Sequence, residues 1–365
     1  MARWKSYDKS FFFLAMLLLG IGILALTSAS INISIVNFGH PYYYILHQAL
    51  FGIIPGIALL WIAAKTNYEL WKRLAIPLLL FALFLMFLVL VPSIGFSYGG
   101  ARRWISIGQV SFQPSELLKF AYIVYLAAWF ESRSREIRSF VFGSLPFLIM
   151  NGFIASFLVL QPDIGTLGVL MITAIALFAV SGGTLKQICV MAIIGAIIFG
   201  IIIMIEPYRM ARVAVFFNQA QDPQGIGYQM RQALIAIGSG GIWGRGLALS
   251  RQKFNYLPEP MGDSIFAIIA EEFGFIGSVS LLIMLLLFYL RGIIIIRDVH
   301  DLFGKLLGFG ALLLIIVQAI VNIAAISGVM PLTGIPLSFI SYGGSSLAIT
   351  LLEIGVILNI SKMRL

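Results

Sequence analysis

The sequence predicts an all-α polytopic membrane protein, with about ten transmembrane helices and a long extracytoplasmic loop between helices 7 and 8. Three observations carry that prediction. The chain is 60% hydrophobic and 11% charged, with a mean hydropathy of +1.01, whereas soluble domains carry about 25% charged residues. Apolar windows of spanning length recur along all 365 residues, at 11–31, 44–64, 74–92, 115–131, 141–160, 164–182, 186–205, 264–290, 305–327 and 338–360. Residues 206–262 break that rhythm with a stretch far longer than a connector, and such loops are usually functional.

The first window is longer than the roughly 7–15 apolar residues of a secretory signal and further spans follow it, so it reads as a retained helix. The fourth is interrupted by Glu116 and Lys119. Residues 93–114 form a second, shorter outer segment. Inside the long loop, 208–217 and 227–237 have helical apolar spacing and predict short helices lying at the membrane interface. The run Gly238-Ser239-Gly240-Gly241 with Gly244-Arg245-Gly246 reads as turn or hinge, with an anion nest as the alternative. Gln113-Pro114-Ser115 and Gln161-Pro162-Asp163 look alike, but their flanks do not match, so no internal repeat is inferred. The whole chain, 1–365, reads as one integral membrane domain.

Basic residues set the expected orientation. With both termini cytoplasmic, the inner segments hold 15 Lys and Arg, from Arg3 to Arg364, and the outer segments hold 8. Those eight are Arg102, Arg103, Arg209, Arg212, Arg231, Arg245, Arg251 and Lys253, and six lie in one long loop, which weighs little in the positive-inside rule. The expected location is therefore the cytoplasmic membrane, multi-pass, with both long outer segments on the outer face. Net charge +9 then reflects topology and contact with anionic lipid, and no nucleic-acid partner is expected.

Absent motifs narrow the chemistry. The sequence has no Walker A motif, no dinucleotide fingerprint, no His-Glu-x-x-His and no Asp-x-Asp pair for a nucleotide-sugar metal. His40, His47 and His300 are scattered, and Cys189 is the sole cysteine, which excludes an intrachain disulfide.

Asp263 stands out because it lies where the polar loop ends and an apolar helix begins. A carboxylate there is costly to desolvate, which marks a functional site. It also suits a helix N-cap, and the two roles are compatible. Glu116 and Lys119, spaced i, i+3, share a helix face as an ion pair; they either fix packing or floor an outward cavity in which Lys119 meets an anionic substrate. Arg102 and Arg103 precede Trp104 and serve as an interfacial anchor or a pyrophosphate clamp. Arg209, Arg212, Arg251 and Lys253 make the long loop basic, attractive to anionic lipid or to a pyrophosphate-bearing one. Asp163 fits a helix cap. Glu271 and Glu272 point about 100° apart on a helix, and Glu272 is a candidate partner for a base such as Lys119. The segment from Pro331 and Pro336 to Ser341-Tyr342-Gly343-Gly344-Ser345-Ser346 reads as a broken helix lining a cavity or as close Gly/Ser packing.

These stretches together resemble the SEDS family (shape, elongation, division and sporulation), represented by RodA and FtsW. The matching residues are Gly100-Ala101-Arg102-Arg103-Trp104, Phe112-Gln113-Pro114-Ser115-Glu116 with Lys119, and Gln161-Pro162-Asp163-Ile164-Gly165-Thr166. They continue through Asp222-Pro223, Gly227-Tyr228-Gln229, Ala236 to Gly241, Tyr256-Leu257-Pro258-Glu259-Pro260 with Asp263, Glu271-Glu272-Phe273-Gly274 and Ser341 to Ser346. The order is kept across nearly the whole chain. The wording Tyr-Leu-Pro-Glu-Pro and Ser250-Arg251-Gln252-Lys253-Phe254 is closer to FtsW and its sporulation relatives than to RodA. One departure is Met261-Gly262 where many members read His-Thr before the aspartate.

The resemblance implies an inverting glycosyltransferase that polymerises lipid II into glycan strands outside the cytoplasmic membrane, with Asp263 as the catalytic general base. The expected substrate-binding residues are Arg102, Arg103, Glu116, Lys119, Arg209, Arg212, Lys253, Glu272, Ser341 and Ser345. Expected partners are lipid II, an undecaprenyl-pyrophosphate-linked glycan, a class B penicillin-binding protein and other divisome or elongasome membrane proteins. A divalent cation, Mg or Mn, is the one cofactor considered. Two rivals are a lipid-linked precursor flippase, which leaves the long outer loop less well explained, and a non-catalytic scaffold, which predicts that removing the charge of Asp263 is harmless.

Overall fold

The computed structural model describes residues 7–98, 101–108, 110–218, 222, 225–254 and 256–363. Arg3, Lys5, Gly100, Pro223 and Arg364, used in the sequence reading, lie outside the described residues. In chain order the elements are α1 (Lys9–Phe38), α2 (Tyr43–Lys65), α3 (Glu69–Leu90), β1 (Gly95–Tyr98), β2 (Ala101–Ile107), β3 (Val110–Phe112), α4 (Pro114–Ser132), α5 (Phe140–Leu160) and α6 (Ile164–Val180). They continue with α7 (Leu185–Ile205), α8 (Pro207–Phe217), α9 (Ile226–Ser239), α10 (Ile265–Arg297), α11 (Leu302–Ile326) and α12 (Gly344–Ser361).

The predicted class holds: this is a helical membrane protein, and among the described residues eight helices are long and apolar enough to cross a bilayer. The other two expected spans fall short for visible reasons. Helix α6 has 17 residues, and α4 carries Glu116, Lys119 and Glu131 within 19 residues. The structure adds a three-stranded antiparallel sheet, β1-β2-β3, where the sequence reading saw an outer loop.

Local chemistry explains the element ends. Asp8, Ser139, Asp163, Thr184 and Asp301 each accept a backbone N–H at a helix start. Pro114 and Pro207 open α4 and α8, where the missing N–H would be unsatisfied in any case. Helices α2 and α5 each contain one π-turn, Ala49–Ile53 and Phe140–Ser144. Each is followed by a proline, Pro55 or Pro146, which cannot donate to the ladder and forces the widened turn.

Helices α11 and α12 form the spine of the bundle. One apolar core joins them to α1, α9 and α10, and a second joins them to α3, α4, α5 and α6. Helix α12 is buried along its whole length and packs on α2 so closely that the Cα of Gly344 lies 3.1 Å from where a Cβ on Gly52 would sit. At the opposite extreme, Met191 is the one buried residue of α7.

Helix α10 is broken at Gly274, whose φ of 67° and ψ of −162° lie outside helical geometry. A break inside a membrane helix frees backbone groups that lipid cannot satisfy. The loop 241–246 supplies the partners. Phe275 and Ile276 donate to the carbonyls of Gly241 and Ile242 at 2.9 and 3.2 Å, while Arg245 and Gly246 donate to Glu271 and Glu272 at 3.0 and 2.9 Å. This exchange occupies the N–H groups of Arg245 and Gly246, and the Gly244 N–H donates to the Gly240 carbonyl, so the glycine run serves as a backbone splint. Glycine is obligatory at the contact, because a Cβ on Gly274 would lie 2.3 Å from the Gly244 nitrogen.

Gly274→Ala is therefore expected to lower stability by about 3 kcal/mol, the upper end for a residue forced into a glycine-type conformation. Thermal unfolding in detergent checks this. Gly195→Ala, which meets nothing within 4 Å on α7, is the matched change expected to leave the midpoint where it is.

Candidate active site

Asp263 precedes α10, which starts at Ile265 with Ser264 at the cap position and no side-chain capping bond. The cap role therefore does not hold. Instead, Oδ1 accepts from Nε2 of Gln229 on α9 at 3.2 Å and from Oγ of Ser264 at 3.4 Å. Both bonds fall on Oδ1, leaving Oδ2, among the described residues, without one.

The backbone around Asp263 is clamped. Its carbonyl accepts from Nδ2 of Asn322 on α11 at 2.8 Å, and the same amide donates to the Ile335 carbonyl at 2.8 Å. The segment leading into α12 is non-helical from Ser327 to Gly343. From it, Ser341 Oγ donates to the Gly262 carbonyl at 2.6 Å and the Tyr342 N–H donates to the Met261 carbonyl at 2.8 Å. A carboxylate held by its neighbours on both sides is preorganised, as a reacting group needs to be.

Electrostatics points the same way. Burial pushes the Asp263 carboxyl up to about 6, and the charge of Glu259 adds to that push. Arg212 and the bonds from Gln229 and Ser264 oppose it. The group is half-buried and titrates close to neutrality, where a general base works best.

Arg212, on the interrupted basic face of α8, is the cation that acts on Asp263. Its Nη1 donates to the Leu332 carbonyl at 3.0 Å and its Nη2 to the Tyr208 hydroxyl at 2.5 Å. Arg209 instead anchors α8, donating to the carbonyls of Ile202 and Val159 at 2.9 and 3.4 Å.

Glu271 and Glu272 are buried under the turn 250–253. Glu271 accepts from Ser250 Oγ at 2.5 Å and from the N–H groups of Arg251 and Gln252 at 3.0 and 3.2 Å. Glu272 pairs with Lys253 Nζ at 2.8 Å and accepts from Ser28 Oγ of α1 at 2.6 Å. The expected Glu272–Lys119 pairing is thus corrected. Lys119 faces Glu116 at 2.9 Å and donates to Gln318 at 2.5 Å, while Lys253, brought over by the loop, reaches Glu272 first.

The β-hairpin docks through the two look-alike motifs. Ser115 Oγ and Gln113 Nε2 donate to Asp163 Oδ2 at 3.2 and 3.5 Å, and Asp163 Oδ1 accepts the Thr166 N–H. Arg103 donates to the Gln161 carbonyl at 3.2 Å and to that of Pro162. Ser345 Oγ accepts from the Gln113 N–H at 3.1 Å. Arg102 is exposed on β2 and, among the described residues, makes no hydrogen bond or ion pair.

Of the ten expected binding residues, Arg212 and Ser341 gather around Asp263. Arg103, Arg209, Glu116, Lys119, Lys253, Glu272 and Ser345 are engaged in the scaffold that surrounds it, and Arg102 is free to meet a ligand. Gln229 and Asn322 hold Asp263 in place, contacts that the sequence reading did not assign to either residue. Gln318 and Asn322 stand one turn apart in an otherwise apolar stretch of α11, and that spacing was the available signal.

The buried Lys253–Glu272 pair gives a stability test. Lys253→Met leaves Glu272 buried beside Ser28 without its cation, and the expected loss is about 3–5 kcal/mol. Adding Glu272→Leu should recover most of it, read as the unfolding midpoint of single and double variants.

Comparison with known proteins follows this geometry. The FtsW/RodA/SpoVE family of cell cycle proteins matches residues 8–364. The chain is 38% identical to "Stage V sporulation protein E" of Bacillus subtilis (strain 168), covering 98% of this chain and 97% of that protein. It is 36% identical to the "Probable peptidoglycan glycosyltransferase FtsW" of Geobacter sp. (strain M18), covering 100% and 99%. Among solved structures, a chain described for structural coordination of polymerization and crosslinking by a peptidoglycan synthase complex superposes with a TM-score of 0.81 at 27% identity, covering 99% of both chains. The Thermus thermophilus rod shape determining protein RodA gives 0.74 at 25% identity, covering 99% and 98%. With the match running through every element that builds the Asp263 site, the chain belongs to the FtsW/RodA/SpoVE family.

Proposed function

We propose that this chain is a peptidoglycan glycosyltransferase whose general base is Asp263. The observation that carries the assignment is the clamped, half-buried carboxylate titrating near 6 beside Arg212. Relatives over 35% identical bear the name "Probable peptidoglycan glycosyltransferase FtsW", which supplies the reaction class.

In the proposed step, a sugar hydroxyl of the acceptor, lipid II, attacks the anomeric carbon of the lipid-pyrophosphate-linked glycan donor. Asp263 takes the hydroxyl proton as the new C–O bond forms, and the bond from the anomeric carbon to the pyrophosphate breaks. The electron pair leaves with the lipid pyrophosphate, and direct displacement inverts the anomeric carbon. Arg212 and the exposed Arg102 are the cations offered to the departing charge. For a divalent cation the residues fit in part: no group of three or more His, Cys, Asp or Glu side chains is placed to hold one among the described residues. Asp263 and Glu259 are the two carboxylates whose charges interact there, and a cation held by them would lower the proton affinity of Asp263 and so compete with its role as base.

We further infer that ten helices cross the membrane, α4 and α6 included, with both termini cytoplasmic. On that topology the Asp263 site, the β-hairpin and the interfacial helices α8 and α9 share the outer face. The neighbour solved in a peptidoglycan synthase complex supports a crosslinking partner of the class B penicillin-binding type.

The test is lipid II polymerisation by the purified chain, alone and with that partner. Asp263→Asn is expected to lower the rate by about 10²–10⁴-fold, the usual worth of a positioned base. Polymerisation at the wild-type rate would remove Asp263 from this role.

A further inference from the structure

A cavity of about 460 Å³ lies between the opening turns of α5 and α7, lined in part by Arg138, Thr184, Lys186, Phe140, Leu148 and Val190. It sits at the far end of α5 from the Gln161 turn that Arg103 grips, and a helix of 21 residues separates the two by roughly 30 Å. It is therefore remote from Asp263 and is not absorbed by the proposed reaction.

Its charge is one-sided. Arg138 and Lys186 are both exposed, and neither makes an ion pair or hydrogen bond among the described residues. Arg133, five residues before Arg138, pairs with Glu136 at 3.0 Å, whereas among the described residues the cavity lining includes no Asp or Glu. The back wall is already built. Gln187 Nε2 donates to Ser144 Oγ at 2.8 Å and to the Ile137 carbonyl at 3.0 Å, and its Oε1 accepts from Thr184, so these groups hold the two helix starts apart rather than waiting for a ligand. The remaining wall is apolar and continues onto α7, which is exposed over nearly its whole length. Two uncommitted cations above a hydrocarbon slot fit an amphiphile with a negative head better than a free anion, and basic pockets between membrane helices are a recurrent headgroup site.

We propose that this cavity seats the phosphate headgroup of an anionic glycerophospholipid, drawn from the membrane face opposite Asp263. Arg138 and Lys186 contact the phosphate, and the acyl chain lies along Leu148 and Val190. Native mass spectrometry of the purified full chain, titrated with phosphatidylglycerol or phosphatidylcholine, tests it. Wild type should take up phosphatidylglycerol preferentially. Arg138→Gln with Lys186→Gln should weaken that uptake about 30-fold, the equivalent of two basic contacts of about 1 kcal/mol each. Arg138→Lys with Lys186→Arg should retain it, which separates lost charge from lost fold. Arg135→Gln with Arg297→Gln removes the same charge away from the cavity and should change nothing. An equal loss in the Arg135→Gln with Arg297→Gln variant, or no headgroup preference in wild type, overturns the site. Displacement by millimolar inorganic phosphate overturns the lipid assignment in favour of a free anion.

Discussion

A helix that breaks inside a membrane must find partners for the backbone groups it frees, because lipid offers none. The break of α10 at Gly274 meets that demand with the backbone of 241–246, through four hydrogen bonds between 2.9 and 3.2 Å. Much of the half of the molecule that holds Asp263 follows from this splice. It draws the long loop back across the bundle, so that Ser250 to Lys253 cover Glu271 and Glu272 instead of extending into solvent. The same fold-back returns the chain to α10 from above, and Asp263 emerges at the point of re-entry.

That placement accounts for the chemistry assigned to the residue. A carboxylate in open water would titrate near its ordinary value and bind a proton too weakly to be an efficient base at neutral pH. Packing by α9, α11 and the segment before α12 withdraws water from Asp263, and Glu259 adds a like charge. Arg212 prevents the shift from going so far that the group stays protonated. The neighbours thus set both the position of the Asp263 carboxylate and its proton affinity, which is the division of labour expected of a preorganised site.

How much of this was legible in the sequence depends on the range of the interaction. The spans were legible because each is a local run of apolar residues, and the windows 44–64 and 186–205 fall within a residue of α2 and α7. The caps at Asp163 and the Glu116–Lys119 pair are also local, separated by three residues each. The β-sheet left a weaker trace, the alternation in Trp104-Ile105-Ser106-Ile107 and Val110-Ser111-Phe112, which a reading tuned to spans passed over. The Lys253–Glu272 pair and the Asn322 clamp were not legible, since their partners are 19 and 59 residues apart and only the splice at Gly274 and the α10–α11 packing bring them together. Arg103 and Arg209, expected to contact a ligand, donate to main-chain carbonyls that the fold brings to them, contacts that sequence spacing did not reveal.

If Asp263 is the base of the proposed reaction, the surroundings that push its carboxyl up to about 6 set the pH at which it works. The pH dependence of kcat/KM for lipid II polymerisation tests this most directly, since that profile reports the free enzyme's essential base. The account predicts a rate that climbs as pH rises through about 6 and levels off above it, because the ionised form is the active one. A profile flat from pH 5 to pH 8, or one that falls as pH rises through 6, would contradict it.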